Sequence, residues 1–384
     1  MIGGTVRQSG EQGMPDRTID SILAAVDLAA APNEDQTLRS DPAAASVATC
    51  LPVIEPLCLV RPDLPVSFGN MERVRIPNDA TYSPVALTDL AIAAPLLSRL
   101  VLGATLPGRL VQAAALAVYA GSAARDWLER LGVRKIDFLR EFGADARHLE
   151  EMPASIREAE ITVLAERLND SYTPDRIALR ELAPIVDAHL TNYIAAITGQ
   201  RVETSTEVRS ISLVQFIFPF ALGAADMLSG DISIFHDAGV FQPHVVAHEF
   251  CHRKGYWGEL EAQALAYLAL SSSGEAVLVQ SALCERLHRN LRVLVGDDEA
   301  AFDSRVRSLG LRNELTTQFL SLRPQLGPLA RSTAETMRAL YDLRMRLTGQ
   351  NGISDYDVGF TNFLYSFESS GTARQRPSGS GTLR

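Results

Sequence analysis

The segment His248-Glu249-Phe250-Cys251-His252 constrains this chain more than any other part of its sequence. Residues four apart in a helix lie on one face, one turn apart, so the two imidazoles can reach a common ion. Zinc accepts two neutral imidazoles and a carboxylate and leaves a position for water, whose pKa it lowers to about 7. Glu249, beside the first histidine, can accept that water's proton. The spacing predicts His248 and His252 as Zn²⁺ ligands and Glu249 as the catalytic base.

The flanking residues predict that this segment is helical. Pro243 suits the first turn of a helix, and Val245, Val246, Phe250 and Cys251 give the helix an apolar back. The alternative is a solvated amphipathic helix with this spacing by accident, because a pentad with three fixed residues recurs in unrelated helices. Four of the seven histidines lie within residues 236–252, and this clustering favours the metal site.

A carboxylate from the next helix is expected to complete the site. Gly255 and Gly258 predict a turn after His252, and Glu259 and Glu261 open the helix that follows. Glu259 shares its helical face with small or polar side chains that allow a close approach, whereas Glu261 shares its face with leucines. We predict Glu259 as the third ligand. Glu261 is the alternative ligand, or a partner for the second nitrogen of a ligand imidazole.

Other polar residues near the segment are weaker candidates. His244 lies one turn before His248, where it can touch the ion or a substrate or serve a structural role. His236, Asp237 and Tyr256 can polarise a substrate carbonyl. For each of these three residues, the structural role is the favoured interpretation.

Helical periodicity dominates the sequence, with a short β-rich stretch before the metal segment. Helices are predicted at residues 84–99, 109–131, 156–169, 174–198, 243–254, 259–272, 275–295, 311–322 and 328–347, and strands at 207–220 and 231–235. The expected class is α+β, mainly helical. The expected division is a mostly disordered N-terminal arm (1–78), a helical part (79–205), a metal-binding core with C-terminal helices (206–367) and a disordered tail (368–384).

Composition narrows the partners and the location. A net charge of -10 in 384 residues disfavours nucleic acid as a partner. Four scattered cysteines and the lack of a secretory pattern predict a cytoplasmic protein. Residues 90–124 are hydrophobic, but prolines and arginines interrupt them, and the uncharged run falls short of the ~18 to 20 residues that span a bilayer. Buried helices are therefore favoured over membrane association, and the oligomeric state stays open.

The chain resembles DUF3810, a bacterial family of zinc-binding membrane proteins of unknown function. The family pattern is a His-Glu-x-x-His helix, a glycine, and then Glu-x-Glu-Ala-Asn; here the corresponding residues are His248-Glu249-Phe250-Cys251-His252, Gly255 and Glu259-Leu260-Glu261-Ala262-Gln263. The closing segments of the family resemble Tyr341-Asp342-Leu343, Gly349-Gln350 and Ser354-Asp355-Tyr356. The resemblance implies a zinc site, and it implies membrane association as the alternative location.

A more distant resemblance is to gluzincin-type zinc metallopeptidases. Their third ligand begins a Glu-x-x-Ala-Asn or Glu-x-x-Ala-Asp helix, which implies that Glu259 is the ligand here. Gln263 stands where those proteins have Asn or Asp. The resemblance implies a zincin-like core, in which a small β-sheet packs against the helix that carries His248 and His252.

These observations predict a zinc-dependent hydrolase, with a metallopeptidase acting on a peptide or protein substrate as the leading hypothesis. In it, Glu249 deprotonates the metal-bound water and passes the proton to the leaving amine. One alternative is a zinc-binding regulatory or structural protein without turnover. Another is a zinc hydrolase of a non-peptide amide or ester, which the same residues would serve.

Overall fold

The computed structural model of this chain is mainly helical and contains two small β-sheets. It describes residues 71–78, 100–103, 105–210, 221–226, 229–322 and 328–370. These residues belong to one compact unit. The α+β, mainly helical class that the sequence predicts is confirmed.

The described helices and strands follow one another with short connections. The helices are α1 (Leu106–Leu131), α2 (Phe138–Phe142), α3 (Ala154–Asp170), α4 (Leu179–Thr198), α5 (Gln242–Arg253), α6 (Glu259–Ser271), α7 (Ala276–Val295), α8 (Glu299–Ser308), α9 (Asn313–Ser321), α10 (Pro328–Leu347) and α11 (Val358–Ser369). The strands are β1 (Glu72–Arg75), β2 (Gln200–Glu203), β3 (Arg209–Ser210), β4 (Gly223–Ala225) and β5 (Ile232–Ile234). β1 pairs with β2 in parallel, and β5 lies between β3, which is parallel to it, and β4, which is antiparallel. Among the described strands, β4 is therefore an edge.

Most predicted helices are found close to their predicted bounds. The predictions at 243–254, 259–272 and 275–295 correspond to α5, α6 and α7, and α10 has the predicted bounds. The short helices α2 and α8, the helix α11 and the strands β1, β2 and β4 were not among the predictions. The predicted strand at 231–235 contains β5, while residues 211–220 and the predicted helix at 84–99 lie outside the described residues.

The predicted boundary of the N-terminal arm at residue 78 is wrong. Residues 72–75 form β1, and Ile76 packs with Val133 and Val202 in a small apolar cluster. The pairing partner of β1 lies far along the chain, so local periodicity gives no sign of it. The remaining residues of the predicted arm, 1–70, lie outside the described residues.

The predicted start of the C-terminal tail at residue 368 is also too early. Glu368 belongs to α11, and its carboxylate accepts hydrogen bonds of 2.7 and 2.9 Å from the buried Arg286 guanidinium. The bidentate ion pair attaches the end of α11 to α7. Residues 371–384 lie outside the described residues.

Helix α5 lies within the main apolar core. All of its residues, 242–253, are buried. It packs against α4, α6 and α7 and against the strands β4 and β5. Val186 lies in the predicted part 79–205 and Phe250 in the predicted part 206–367, and both belong to this core. The two predicted parts therefore share one core. The polar groups of α5 are consequently held in apolar surroundings, where each requires a partner.

Two buried cations anchor the C-terminal end of α5. Arg253 donates from Nε to the carbonyl of Gly230 (2.6 Å) and from a terminal nitrogen to that of Ser205 (2.7 Å). Lys254 Nζ forms an ion pair of 2.7 Å with Asp187 and donates to three further oxygens. Because Lys254 is fully buried, the orientation of α5 depends on this pairing.

Helix α1 exposes its apolar side chains. Leu106, Leu110, Leu116 and Leu128 are each more than half exposed. The expectation that residues 90–124 form buried helices is therefore wrong for α1, whose N-terminal half has its leucines in solvent. None of the helices in the described residues combines the length and the apolar character that crossing a bilayer requires.

Replacing Lys254 by Met tests the anchor. The change leaves the buried Asp187 carboxylate without its cation, so we expect a loss of about 3–5 kcal/mol in the free energy of unfolding. Urea denaturation followed by circular dichroism measures this loss. The control is Arg338→Ala, which removes an exposed ion pair with Asp297 and is expected to cost about 0–1 kcal/mol. Equal effects of the two substitutions would contradict the anchoring role.

Candidate metal centre

Three buried side chains bring their donor atoms to one point. His248 Nε2 lies 3.1 Å from His252 Nε2 and 3.1 Å from Glu259 Oε2, and His252 Nε2 lies 3.3 Å from the same oxygen. The two histidines come from successive turns of α5, and Glu259 is the first residue of α6. The structure thus brings together the three residues predicted as metal ligands.

The separations fit a zinc ion. Tetrahedral Zn²⁺ with bonds of about 2.0–2.1 Å to nitrogen and oxygen places neighbouring ligand atoms roughly 3.3 Å apart. The three observed separations of 3.1, 3.1 and 3.3 Å are close to that spacing. Two imidazoles and one carboxylate are also the donor set of catalytic zinc sites, which keep a fourth position for water.

The turn after α5 fixes the orientation of His252. Gly255 adopts a φ of 96°, which favours glycine, and the chain turns so that Tyr256 N–H donates to the Cys251 carbonyl (2.9 Å). The Tyr256 carbonyl then accepts a hydrogen bond of 2.7 Å from His252 Nδ1. Because a carbonyl can only accept, Nδ1 carries the proton, and Nε2 of the neutral ring is left to bind a metal. The indole of Trp257 stacks on the same imidazole at 6.0 Å.

The Glu259 carboxylate is held by residues from the far end of the chain. Tyr341 donates to its Oε1 and Tyr356 to its Oε2, both at 2.6 Å. The side-chain oxygen of Gln350 accepts a 2.8 Å hydrogen bond from the Glu259 backbone N–H. The ring of Tyr356 also stacks on His248, with centroids 5.8 Å apart. Such outer partners fix ligand orientation in metal sites.

Glu249 lies between the ligand histidines and strand β4. Its side chain is buried, and a Cβ atom at Gly223 would lie only 3.1 Å from Glu249 Oε1 and from Ile234 Cδ1. The glycine therefore gives β4 room to pass close to the carboxylate. This position, next to a ligand on the same helix, is the one expected of a base acting on a metal-bound water.

The charges at the site favour a cation. Burial alone would lower the pKa of His252, yet the neighbouring Glu259 carboxylate raises it to about 9. Burial alone would raise the pKa of Glu259, but His252 and His248 hold that pKa well below its usual range. Burial raises the pKa of Glu249, and the two imidazoles oppose that rise. The donors therefore sit in a field that stabilises positive charge among them.

The support for a metal site comes from this donor geometry and charge. No family model, curated protein or solved structure matches this chain.

Glu261, the alternative third ligand, lies outside the ligand cluster. Its carboxylate packs against Gly258 and interacts with Lys135, and burial raises its pKa. The predicted second role, accepting from a ligand imidazole, is not seen either, because the Tyr256 carbonyl accepts from His252 Nδ1 and His248 Nδ1 has no hydrogen-bond partner among the described residues. Glu261 is two residues beyond Glu259, about 200° around the helix, so the two carboxylates cannot share a direction.

The weaker candidates are likewise not brought to the cluster. His244 is buried, with its backbone N–H on Ser281 Oγ (3.0 Å), and burial lowers its pKa to about 4. Tyr256 directs its hydroxyl to the Arg134 carbonyl at 3.4 Å, so its carbonyl, not its phenol, serves the site. His236 and Asp237 line a separate cavity of about 550 Å³ at the start of α5.

Sequence reasoning missed the roles of Tyr341, Gln350 and Tyr356. The segments that contain them are the ones that resemble the closing pattern of the zinc-binding family, but nothing in their spacing indicates which atoms they contact. The structure places all three on Glu259.

Replacing each carboxylate in turn distinguishes the two glutamates. We expect Glu259→Gln to weaken Zn²⁺ binding by roughly 100-fold or more, since the loss of a ligand exceeds the 10–100-fold cost of an outer partner. Glu261→Gln should leave the affinity within a few-fold of the original. Competition with a zinc chelator measures both values. A larger loss from Glu261→Gln than from Glu259→Gln would overturn the ligand assignment.

The stacking of Trp257 on His252 provides an optical test of binding. The chain has two tryptophans, so Trp127→Phe leaves Trp257 as the single reporter. We expect Co²⁺ to quench its fluorescence saturably at one equivalent, because the ion would bind on the ring that the indole covers. Adding His248→Ala and His252→Ala should abolish the quenching. Quenching that persists in that variant would show that the ion binds elsewhere.

Proposed function

We propose that this protein is a zinc-dependent hydrolase, and specifically a metallopeptidase. The observation that carries the proposal is the convergence of His248 Nε2, His252 Nε2 and Glu259 Oε2 within 3.3 Å of one another, with Glu249 beside them on the same buried helix. This arrangement fits a zincin-like core in which β4 and β5 pack against α5.

The proposed role of each residue is based on the position of its side chain. Bound zinc supplies a Lewis acid that makes water a nucleophile near neutral pH. His248, His252 and Glu259 would hold the ion, and Glu249 would accept the proton of the water. Glu249 then donates that proton to the leaving nitrogen of the substrate. Burial of the carboxylates strengthens each of these electrostatic interactions relative to water.

A peptide is the substrate that the neighbouring strand suits best. β4 lies at an edge of the described sheet, and it passes Glu249 at Gly223. An extended peptide can pair with an exposed strand edge through backbone hydrogen bonds, which presents its amides along the strand. Pairing at β4 would place a peptide bond next to the base, and esters or small amides lack this means of alignment.

A zinc-binding regulatory or structural protein is the second candidate, and the burial of the four site residues favours this function. His248, Glu249, His252 and Glu259 are each 4–7% exposed. Structural zinc sites are closed, whereas catalytic sites keep one position accessible. The two candidates therefore differ on whether a substrate reaches the fourth position.

The resemblances to the zinc-binding family and to gluzincin-type peptidases form part of this proposal, as does a cytoplasmic location. The described cysteines, Cys251 and Cys284, are free and buried, which suits a reducing compartment. The exposed leucines of α1 leave membrane association as the alternative. Cell fractionation distinguishes the two locations, and recovery with membranes would overturn the cytoplasmic assignment.

Replacing Glu249 by Gln separates catalysis from binding. We expect the variant to retain its zinc and to lose about 10²-fold to 10⁴-fold or more in hydrolysis, because the base is removed while the ligands stay. A peptide-library digest read by mass spectrometry, beside metal analysis, measures both properties. Matched ester and amide substrates identify a non-peptide hydrolase. Zinc retention without cleavage by the original protein would favour the regulatory candidate.

A further inference from the structure

Two phenols converge on the one carboxylate of the candidate metal centre. Tyr341, on α10, donates to Glu259 Oε1, and Tyr356, in the turn before α11, donates to Oε2. The two hydroxyl oxygens are 3.3 Å apart. Both lie more than eighty residues beyond Glu259, so the third ligand is enclosed by the C-terminal part of the chain.

The two carboxylate oxygens have different surroundings. Oε2 faces His248 Nε2 and His252 Nε2 at 3.1 and 3.3 Å and receives Tyr356. Oε1 receives Tyr341. Each oxygen accepts one phenol, but Oε2 is the one at ligand spacing from the two imidazole nitrogens, while Tyr341 holds Oε1 by its hydrogen bond. Tyr341 therefore favours ligation through one oxygen, although a free carboxylate can ligate through one or two.

Two side chains contact the ring of Tyr356. His248 stacks on one side at 5.8 Å, and the guanidinium of Arg289 lies over the ring at 5.6 Å. Arg289 is itself bound by Glu285 (2.6 Å) and Asp357 (2.9 Å). These contacts support the orientation in which the hydroxyl donates to Glu259.

Tyr341 is positioned by a separate set of contacts. Asp342 accepts a hydrogen bond of 2.7 Å from the Ile353 backbone, which ties α10 to the turn that carries Tyr356. In the same segment, Gln350 holds the backbone N–H of Glu259 at 2.8 Å. One continuous stretch, residues 341–356, therefore contacts Glu259 at three atoms.

We propose that Tyr341 and Tyr356 are positioning residues that set the affinity and the coordination geometry of the metal, with Tyr341 holding Glu259 to ligation through Oε2 alone. The inference rests on the metal site of the proposed function but not on turnover. It assigns distinct tasks to two chemically identical side chains. Tyr341 controls how many oxygens ligate, and Tyr356 supports the ligating oxygen.

Affinity is the first test. Tyr341→Phe and Tyr356→Phe each remove one hydroxyl and should weaken Zn²⁺ binding 10- to 100-fold in competition with a chelator. The control is Tyr365→Phe on α11, outside the cluster, which should bind as the original protein does. Unchanged affinity in both variants, while His248→Ala abolishes binding, would overturn the positioning role and leave the metal site standing. If the original protein bound no zinc, both proposals would fail together.

The absorption of the Co²⁺ form is the second test, because visible d–d bands are more intense in four-coordinate than in five-coordinate cobalt. Tyr341→Phe frees Oε1, so we expect a weaker five-coordinate spectrum. Tyr356→Phe leaves Tyr341 on Oε1 and should keep the original band shape despite its lower affinity. A general loosening of the fold would change both spectra alike. Identical spectra for Tyr341→Phe and the original protein would contradict the control of denticity by Tyr341.

Discussion

The short separation between the Glu259 carboxylate and two imidazoles, inside a protein core, is the constraint on which the rest of the structure depends. Moving an ion into the interior costs several kcal/mol unless charge and hydrogen bonds compensate. Here the compensation comes from His248 and His252 on one side and from Tyr341 and Tyr356 on the other. The same requirement extends along α5, whose C-terminal end is bound through Arg253 and Lys254. The surrounding elements thus supply hydrogen-bond or ion-pair partners for His252, Arg253 and Lys254, which apolar packing alone would exclude.

The predicted positions that the structure reproduces are those that local geometry decides. A four-residue spacing places His248 and His252 on one face of any helix, whatever packs around it. The choice of Glu259 over Glu261 follows from the same periodicity, because Ala262 and Ala266 let α6 approach α5, and both are fully buried. Helical bounds near the pentad are also accurate, since the apolar pattern changes sharply at the glycines of the turn. Each of these predictions concerns residues within one or two helices.

The parts that the sequence does not predict depend on contacts between distant segments. The strand β1 exists because it pairs with β2 across more than a hundred residues, and no feature of residues 72–75 announces that partner. Tyr341 and Tyr356 are ordinary polar-aromatic residues until folding brings them to Glu259. Helix α1 is a second case. Its apolar composition indicates burial, but composition cannot show which surface, if any, covers the helix. Helical periodicity predicts which face of a helix is apolar, but only the tertiary structure shows which element packs against that face.

Access to the site distinguishes the proposed hydrolase from a zinc-binding protein without turnover. The candidate ligands are almost fully buried, so in the proposed hydrolase a substrate would have to pass or displace part of the surrounding wall to reach the fourth coordination position. Helix α10 contributes Tyr341 to that wall while Leu340, Leu343 and Leu347 remain more than half exposed. Of the described side chains of α10, only Ala334 and Met345 are buried, whereas the leucines of α6 and α7 lie in the core, so displacing this part of α10 would cost less than displacing α6 or α7. Because Tyr341 on α10 donates to Glu259 Oε1, a displacement of α10 would also break that hydrogen bond. Under the proposed function, the hydrogen bond from Tyr341 to Glu259 would therefore couple substrate access to metal coordination.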